Sequence, residues 1–198
     1  MPRTYRLGLR EEASEQTRSR ILAAARDLLI ATDGFSSFSM EAVARRADVA
    51  RMTVYHQFGS KIGLLEAICD SLAASGGMEQ MASAFTRPDP WDALDEYIAI
   101  FGRFWQSDRL LTRRLRGLAA LDPEFEQVIR ARDERRRQGL RVLVARLGDR
   151  HGLESDQVID ILYTLIAFEF FDTLAGPTRS LEDVVPIVSR LARAALDL

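Results

Sequence analysis

Helical spacing of apolar residues dominates this chain from about residue 14 onward and constrains its fold more than any other feature. Ile21, Leu22, Ala25, Leu28 and Leu29 recur at the spacing of one helix face, and later segments repeat this spacing. No segment alternates apolar and polar residues as a half-buried strand would. The sequence therefore predicts an all-α protein, and its 47% hydrophobic residues can supply a core.

Helix caps and breakers divide the chain into about nine helices. Ser39 and Ser60 can cap helices, whereas Gly76, Gly77 and the prolines at 88 and 90 predict a loop over 75–90. The segment 155–175 is apolar around most of its circumference and should be buried on several sides. Pro186 either kinks the last helix or marks its start. We predict a mobile arm over 1–12 and helices over about 14–33, 39–47, 50–57, 60–74, 91–106, 108–120, 123–150, 155–175 and 180–197.

Residues 39–61, SMEAVARRADVARMTVYHQFGSK, combine two short helices with a tight break, which is the pattern of a helix-turn-helix. In that motif the second helix presents polar side chains to base edges while apolar contacts hold its back. The predicted back consists of Val43, Ala44, Val49, Val54 and Phe58, and the predicted front of Arg51, Met52, Thr53, Tyr55 and His56. An ordinary helical hairpin has the same spacing, so spacing alone leaves both interpretations open.

Charge is unevenly distributed along the chain. Residues 1–61 carry ten Lys/Arg and seven Asp/Glu, a net charge of +3, whereas residues 62–198 carry seventeen and twenty-two, a net charge of -5. A basic N-terminal segment on an acidic body indicates a polyanion partner at the N-terminus. Arg45 and Arg46 either face solvent or contact phosphate, and Arg3, Arg6 and Arg10 belong to an arm that either follows DNA or is disordered.

The run from Ser39 to Leu65 resembles the signature of the TetR/AcrR family of transcriptional regulators. The signature is a serine-capped helix, an alanine-containing turn, T-x-Y-x-x-F, S-K and a leucine. Its members here are Ser39, Ala47, Thr53, Tyr55, Phe58, Ser60, Lys61 and Leu64 or Leu65. The resemblance covers about residues 17–70. It implies a repressor that a small, largely apolar molecule releases from a palindromic operator.

The resemblance also implies roles for individual residues. Thr53, Tyr55, Lys61 and the amide end of the helix starting at Ser39 would contact phosphates. Arg51, Met52 and His56 would face base edges in the major groove. Core packing is the alternative for Tyr55. Three positions depart from the family pattern: Asp48 replaces a turn glycine, Ala50 replaces a capping serine or threonine, and Met52 replaces a common glycine.

Aromatic residues concentrate between Trp91 and Trp105, where they form one helix stripe. Such a stripe is typical of core packing, and as a group it also fits an aromatic-lined ligand pocket. The resemblance places the pocket among these central helices, whereas the arginines of 130–150 should solvate a long helix. The predicted ligand-binding residues are Trp91, Tyr97, Phe101, Phe104, Trp105, Leu118, Phe125 and Tyr163.

The last two predicted helices carry more apolar surface than a small domain can hide. In the resembled family this pair forms the contact between two subunits, and two-fold symmetric proteins read palindromic DNA. We therefore expect a homodimer through residues 155–197. The expected domains are a DNA-binding domain over 1–61, with its motif at about 39–58, and a ligand-binding and dimerisation domain over 62–198.

Motifs of other protein classes are missing from the sequence. There is no G-x-G-x-x-G, no P-loop and no metal-ligand spacing, and Cys69, His56 and His151 are the only residues of their types. The longest apolar stretch, near 158–175, is interrupted by Asp160, Glu169 and Asp172, and no signal peptide is recognisable. We expect a cytoplasmic protein with no cofactor, no membrane partner and no enzymatic activity. The alternatives are a helical interaction protein that does not bind DNA, or a small-molecule-binding enzyme.

Overall fold

A computed structural model of the protein describes residues 3–31, 38–148 and 154–196, and describes only the backbone of residues 3–10 and 155. These ranges contain eleven α-helices, one short 3-10 helix and no strand, so the all-α prediction is confirmed. The helices are α1 (Arg3–Ile30), α2 (Met40–Arg46), α3 (Arg51–Phe58), α4 (Lys61–Ser75), the 3-10 helix (Met78–Gln80), α5 (Met81–Thr86), α6 (Pro90–Ser107), α7 (Arg109–Ala119), α8 (Pro123–Leu147), α9 (Ser155–Leu165), α10 (Phe168–Ala175) and α11 (Val185–Leu196).

The chain forms two compact units. The first, called unit one, consists of residues 1–70 and 113–125, and the second, unit two, of residues 71–112 and 126–198. Helices α4, α7 and α8 therefore contribute residues to both units. The functional division of the sequence at residues 61 and 62 stays a prediction.

Unit one contains α1, α2 and α3, and α2 packs against both of the other helices. The apolar residues that recur at helical spacing in the sequence lie on the buried face of each helix. Their burial stabilises the fold because it removes apolar surface from water. The buried apolar residues of these three helices include Ile21, Ala24, Ala25, Leu29, Met40, Val43, Ala44, Val54 and Phe58.

Unit two is organised around α6, whose aromatic stripe forms part of a continuous core. Helices α5, α10 and α11 pack against α6, and α9 packs against α10 and α11. Asp89 caps α6 by accepting hydrogen bonds from the backbone amides of Trp91 and Asp92, and Pro90 occupies its first turn. Both features favour a helix start at this point.

Two segments predicted to lack helical structure contain helices. Helix α1 begins at Arg3, so residues 3–12 of the segment predicted as an arm are helical. The reason is that helix-forming residues continue through this stretch, with Gly8 as its only breaker. The predicted loop 75–90 contains the 3-10 helix and α5. The glycines and prolines that predicted the loop lie near its two ends. The residues of α5 between them form a helix readily, and Ala84 of this helix is fully buried.

The predicted helix 155–175 is two helices, α9 and α10. The chain turns extended at Ala167, with φ −67° and ψ 147°, directly after α9 ends at Leu165. The indole Nε1 of Trp105 donates a hydrogen bond to the carbonyl of Ile166 at 3.1 Å. This bond satisfies a backbone acceptor at the break, so the break can be buried without an unpaired polar group.

Pro186 marks the start of the last helix and does not kink it. It is the second residue of α11, where the missing amide hydrogen of proline costs no helical hydrogen bond. Val188, Ala192 and Leu196 then form the buried face of α11, with Leu181 and Val184 buried just before it. Leu191, predicted on the same face, is 41% exposed.

Candidate nucleic-acid interface

Helix α2 starts as the sequence predicts, at Ser39. The backbone of Ser39 is extended, and its hydroxyl accepts a hydrogen bond from the amide of Ala42 at 3.1 Å. Glu41 occupies the first turn and Arg46 the last, which suits the helix dipole at both ends. The hydroxyl of Ser39 is thus used as a cap, and its contact with phosphate stays a prediction.

The turn between α2 and α3 is built on Asp48. This residue has φ +52°, and it is the only residue other than glycine with positive φ among those that the structure describes. Aspartate tolerates this left-handed conformation better than most side chains, which explains how it replaces the glycine usual in the resembled family. The amide of Val49 donates to the carbonyl of Ala44 at 3.0 Å and closes the turn.

Helix α3 divides its residues between a buried back and an exposed front. Val54 is fully buried and Phe58 is 9% exposed, whereas Met52 is 73% exposed. Arg51 and His56 are exposed as well, and Thr53 and Tyr55 are half-buried. Ala50, at the N-cap position, makes no side-chain hydrogen bond, as its methyl group dictates. The predicted front and back are therefore the exposed and buried sides of α3.

Arg51 and Tyr55 interact one helical turn apart. The Nη2 of Arg51 donates a hydrogen bond to the Tyr55 hydroxyl at 3.2 Å, and its guanidinium carbon lies 5.3 Å from the centroid of the Tyr55 ring. The hydrogen bond raises the pKa of the Arg51 guanidinium. Tyr55 therefore holds the guanidinium of Arg51 along the exposed side of α3.

Lys61, the first residue of α4, already has an anionic partner in unit one. Its Nζ lies 3.3 Å from the Oδ2 of Asp122. The Oδ1 of Asp122 accepts a hydrogen bond from the amide of Phe125 at 3.2 Å and so caps α8. This backbone hydrogen bond first, and then Lys61, lower the pKa of the Asp122 carboxyl.

Helix α1 supports the other two helices from behind. The Nη1 of Arg18 donates to the carbonyl of Gln57 at 3.3 Å, and its guanidinium lies 4.5 Å from the centroid of the Phe58 ring. Arg46 forms an ion pair with Asp27 of α1 at 2.8 Å, whereas Arg45 is exposed. Asp122 thus contacts Lys61 directly, whereas Arg18 contacts Gln57 and Phe58 at the end of α3. Sequence reasoning missed both, because their partners lie 39 and 61 residues away.

The predicted ligand-binding residues separate between the two units. Leu118 and Phe125 belong to unit one, and the other six belong to unit two. In unit two the rings form a chain of contacts, with centroid distances of 5.1 Å for Tyr97–Phe101 and 4.4 Å for Phe104–Trp105. The ring of Trp91 faces the guanidinium of Arg193 at 5.0 Å. Their role in binding a ligand stays a prediction.

Metal-binding and membrane-spanning features are absent from the same ranges. Among the described residues, no group of three or more histidine, cysteine, aspartate or glutamate side chains is placed to hold a metal ion. None of the described helices is both long and apolar enough to cross a membrane.

Comparison with known proteins agrees with this geometry. Residues 21–68 match the family model of bacterial regulatory proteins of the tetR family. This segment contains the end of α1 and all of α2 and α3, together with the first half of α4. A comparison with curated proteins gave no match.

Solved structures of transcriptional regulators and repressors have similar folds. The TetR family transcriptional regulator PfmR from Thermus thermophilus is 22% identical, with a TM-score of 0.67 over 90% of this chain and 100% of that one. NalD, the secondary repressor of the MexAB-OprM multidrug efflux pump in Pseudomonas aeruginosa, is 24% identical, with a TM-score of 0.71 over 93% and 98%. A TetR transcription regulator from Haloarcula marismortui is 18% identical, with a TM-score of 0.68 over 92% and 97%.

The chain has a TetR-like fold with an N-terminal helix-turn-helix, in which one side of α3 is exposed. The family resemblance found in the sequence is confirmed, because residues 21–68 match the family model of the tetR family and the fold is similar to that of solved TetR regulators. Such regulators are in general DNA-binding proteins without enzymatic activity. That this chain has no enzymatic activity stays a prediction.

Proposed function

We propose that this protein is a ligand-responsive transcriptional regulator that binds a palindromic operator as a homodimer. The observation that carries the proposal is the division of α3, whose apolar back is buried while Arg51, Met52 and His56 are exposed. A helix of this kind fits the major groove, where base edges are read. In this proposal Thr53 and Tyr55 of the same helix, together with Lys61 shortly after it, contact phosphates.

Selection of bound duplexes from a random pool tests the DNA-binding part. We expect wild-type protein to enrich a palindrome with half-sites about one or two helical turns apart. The double variant Arg51→Ala/His56→Ala should lose that enrichment. The control Arg130→Ala removes the charge of an exposed arginine in unit two and should keep it. Failure of the wild type to enrich any sequence would contradict the proposal.

The effector is proposed to be a small molecule bound in unit two, and its binding weakens DNA binding. The proposal is supported by the aromatic residues of α6, which pack in one core cluster with Tyr163 of α9 against it. A ligand can release DNA only if it binds one conformation of the dimer more tightly than another. Release of a labelled operator duplex by a compound that also changes tryptophan fluorescence is the expected result.

A further inference from the structure

Arg136 of α8 is a buried arginine in the core of unit two. It is 4% exposed, and it stands one turn before the buried Leu140 and two turns before the buried Leu143 and Val144 of the same helix. The expectation that the arginines of 130–150 solvate α8 is therefore wrong for this position. The reason is that α8 turns this stripe inward, and Arg136 occupies a position where an apolar residue would be usual.

The guanidinium of Arg136 is only partly paired. Its Nη1 lies 3.3 Å from the Oδ1 of Asp133, whereas its Nε is buried and has no hydrogen-bond partner among the described residues. A guanidinium has five N–H donors, and leaving one unpaired in a buried place costs free energy. The edge that carries Nε therefore lacks an acceptor among the described residues.

Aromatic rings surround this guanidinium. Its central carbon lies 4.5 Å from the centroid of the Tyr163 ring, 5.7 Å from that of Trp105 and 5.8 Å from that of Phe101. Rings stabilise the cation through their faces, and they cannot replace an in-plane acceptor at Nε. The combination of rings and an unsatisfied cationic edge matches a planar apolar body that carries an anionic group.

The position of Arg136 is held by the backbone around it. The Tyr97 hydroxyl donates a hydrogen bond to the carbonyl of Arg136 at 2.8 Å, and burial raises the pKa of Tyr97, so the phenol stays a neutral donor. Gly139 permits this approach, since a Cβ at that position would lie 2.4 Å from the Tyr97 hydroxyl oxygen. The site is thus anchored on one side by α6 and is not a mobile surface arginine.

We propose that Arg136 binds the carboxylate of a small aromatic acid whose ring packs among Phe101, Trp105 and Tyr163. Tyr163 is half-buried and forms the solvent-facing member of this group. The rings of Phe101 and Trp105 are 5.7 Å apart and in contact, so binding of a further ring among them requires these side chains to move apart. The same fixed positive charge disfavours cationic compounds. The inference rests on the proposed function for its biological role, and it narrows the effector from an apolar molecule to an organic anion.

Titration of the full-length protein with matched probes tests the site without any DNA. Phenylacetate and naphthylacetate are compared with the alcohol and the amine of the same skeleton, by calorimetry and by the NMR signal of the Arg136 Nε–H group. At least one carboxylate should bind at least about tenfold more tightly than its alcohol and its amine, because the hydrogen bond is charge-assisted. The Nε–H signal should shift on binding.

Variants assign the preference to Arg136. Arg136→Met has a similar length and no charge, and it should bind the carboxylate and the alcohol equally, with loss of the shifting signal. Arg137→Met is the matched control, because the guanidinium of Arg137 also lies 4.5 Å from the Tyr163 ring, yet its side chain is 28% exposed and pairs with Asp160. It should keep the preference. If Arg136→Met does not fold, Arg136→Lys, which keeps the charge and loses Nε, should show a reduced preference.

Several results would overturn the inference. They are the absence of binding by either carboxylate, tighter binding of an amine, and a carboxylate preference that survives in Arg136→Met or is unaltered in Arg136→Lys. The outcome is independent of the proposed function. Carboxylate binding by a protein that selects no DNA supports the site and contradicts the regulator. Selection of an operator by a protein that binds no carboxylate supports the regulator and contradicts the site.

Discussion

At the residue scale, Lys61 would have to exchange one anion for another in the proposed DNA complex. In the structure its ammonium pairs with Asp122, and in the proposed complex it contacts a phosphate. A partly exposed ion pair of this kind is worth about 0–1 kcal/mol, so the free-energy cost of the exchange is small but measurable. Asp122 also caps α8, which carries Arg136 further along.

Asp122→Asn is expected to strengthen DNA binding. Asparagine can still accept the hydrogen bond from Phe125 and cap α8, but it no longer holds Lys61 by charge. Operator affinity should rise by about twofold to fivefold, the equivalent of the ion pair that no longer has to break. Asp183→Asn is the matched control, since Asp183 also accepts a backbone hydrogen bond, from Ser180. Equal affinities of wild type and Asp122→Asn would contradict the competition.

The same pair predicts a pH effect with a definite sign. The pKa of Asp122 is lowered in the folded protein, chiefly by the Phe125 amide and then by Lys61. Its contribution to stability is therefore present above the ordinary pKa of aspartate and is lost as the pH falls through the lowered folded value. The difference in free energy of unfolding between wild type and Asp122→Asn should shrink over that acidic range. Urea unfolding at several pH values measures it, and a pH-independent difference would argue against this assignment.

The structural roles of some residues could be predicted from their sequence neighbours, whereas those of others could not. The cap at Ser39, the left-handed turn at Asp48 and the missing cap at Ala50 depend on residues within four positions, so the sequence contains the whole cause. The partners of Lys61 and Arg18 come from distant segments, and nothing in their own surroundings indicates them. The burial of Arg136 was indicated by its position in the apolar stripe of α8, but its charge suggested that it is solvated.

At the element scale, α6 and α8 are held close together by one glycine and one tyrosine. Gly139 removes the Cβ that would collide with Tyr97, and the Tyr97 hydroxyl then bonds to the backbone of α8. Helix bounds that depended on caps were predicted well. The break at Ile166 was not, because the carbonyl there is satisfied by Trp105, a residue 61 positions earlier.

Gly139→Ala should destabilise the protein although alanine is the better helix former. Overpacking costs about 1–3 kcal/mol, and the gain in helix propensity returns at most about 1 kcal/mol. Gln138→Ala, at the exposed neighbouring position, is the control and should be neutral or stabilising. In the double variant Gly139→Ala/Tyr97→Phe the collision with the hydroxyl is absent, so the two losses should not add. Strict additivity in urea unfolding would show that the two residues do not meet.

At the scale of the whole molecule, the proposed function requires two copies of the chain. The proposed interface lies within residues 155–197, where Leu191 of α11 is 41% exposed. Leu191→Arg places a charge on this surface and should give monomers by light scattering, with loss of operator binding. Val142→Arg is the matched control, because Val142 is also an exposed apolar residue, at 53%, and lies on α8 outside the proposed interface. Monomers from both variants, or from neither, would contradict this interface.

The central claim is that α3 contacts base edges while Lys61 contacts the phosphate backbone of the DNA. One measurement tests this claim directly. Affinities of wild type, Arg51→Ala and Lys61→Ala are determined for the selected operator and for a scrambled duplex over a range of salt concentrations. Lys61→Ala should weaken both complexes alike and lower the salt slope by about 0.9 for each phosphate that is no longer neutralised. Arg51→Ala should cost about 1–3 kcal/mol on the operator and far less on the scrambled duplex. Equal losses on both duplexes for Arg51→Ala would contradict the claim that Arg51 reads the sequence.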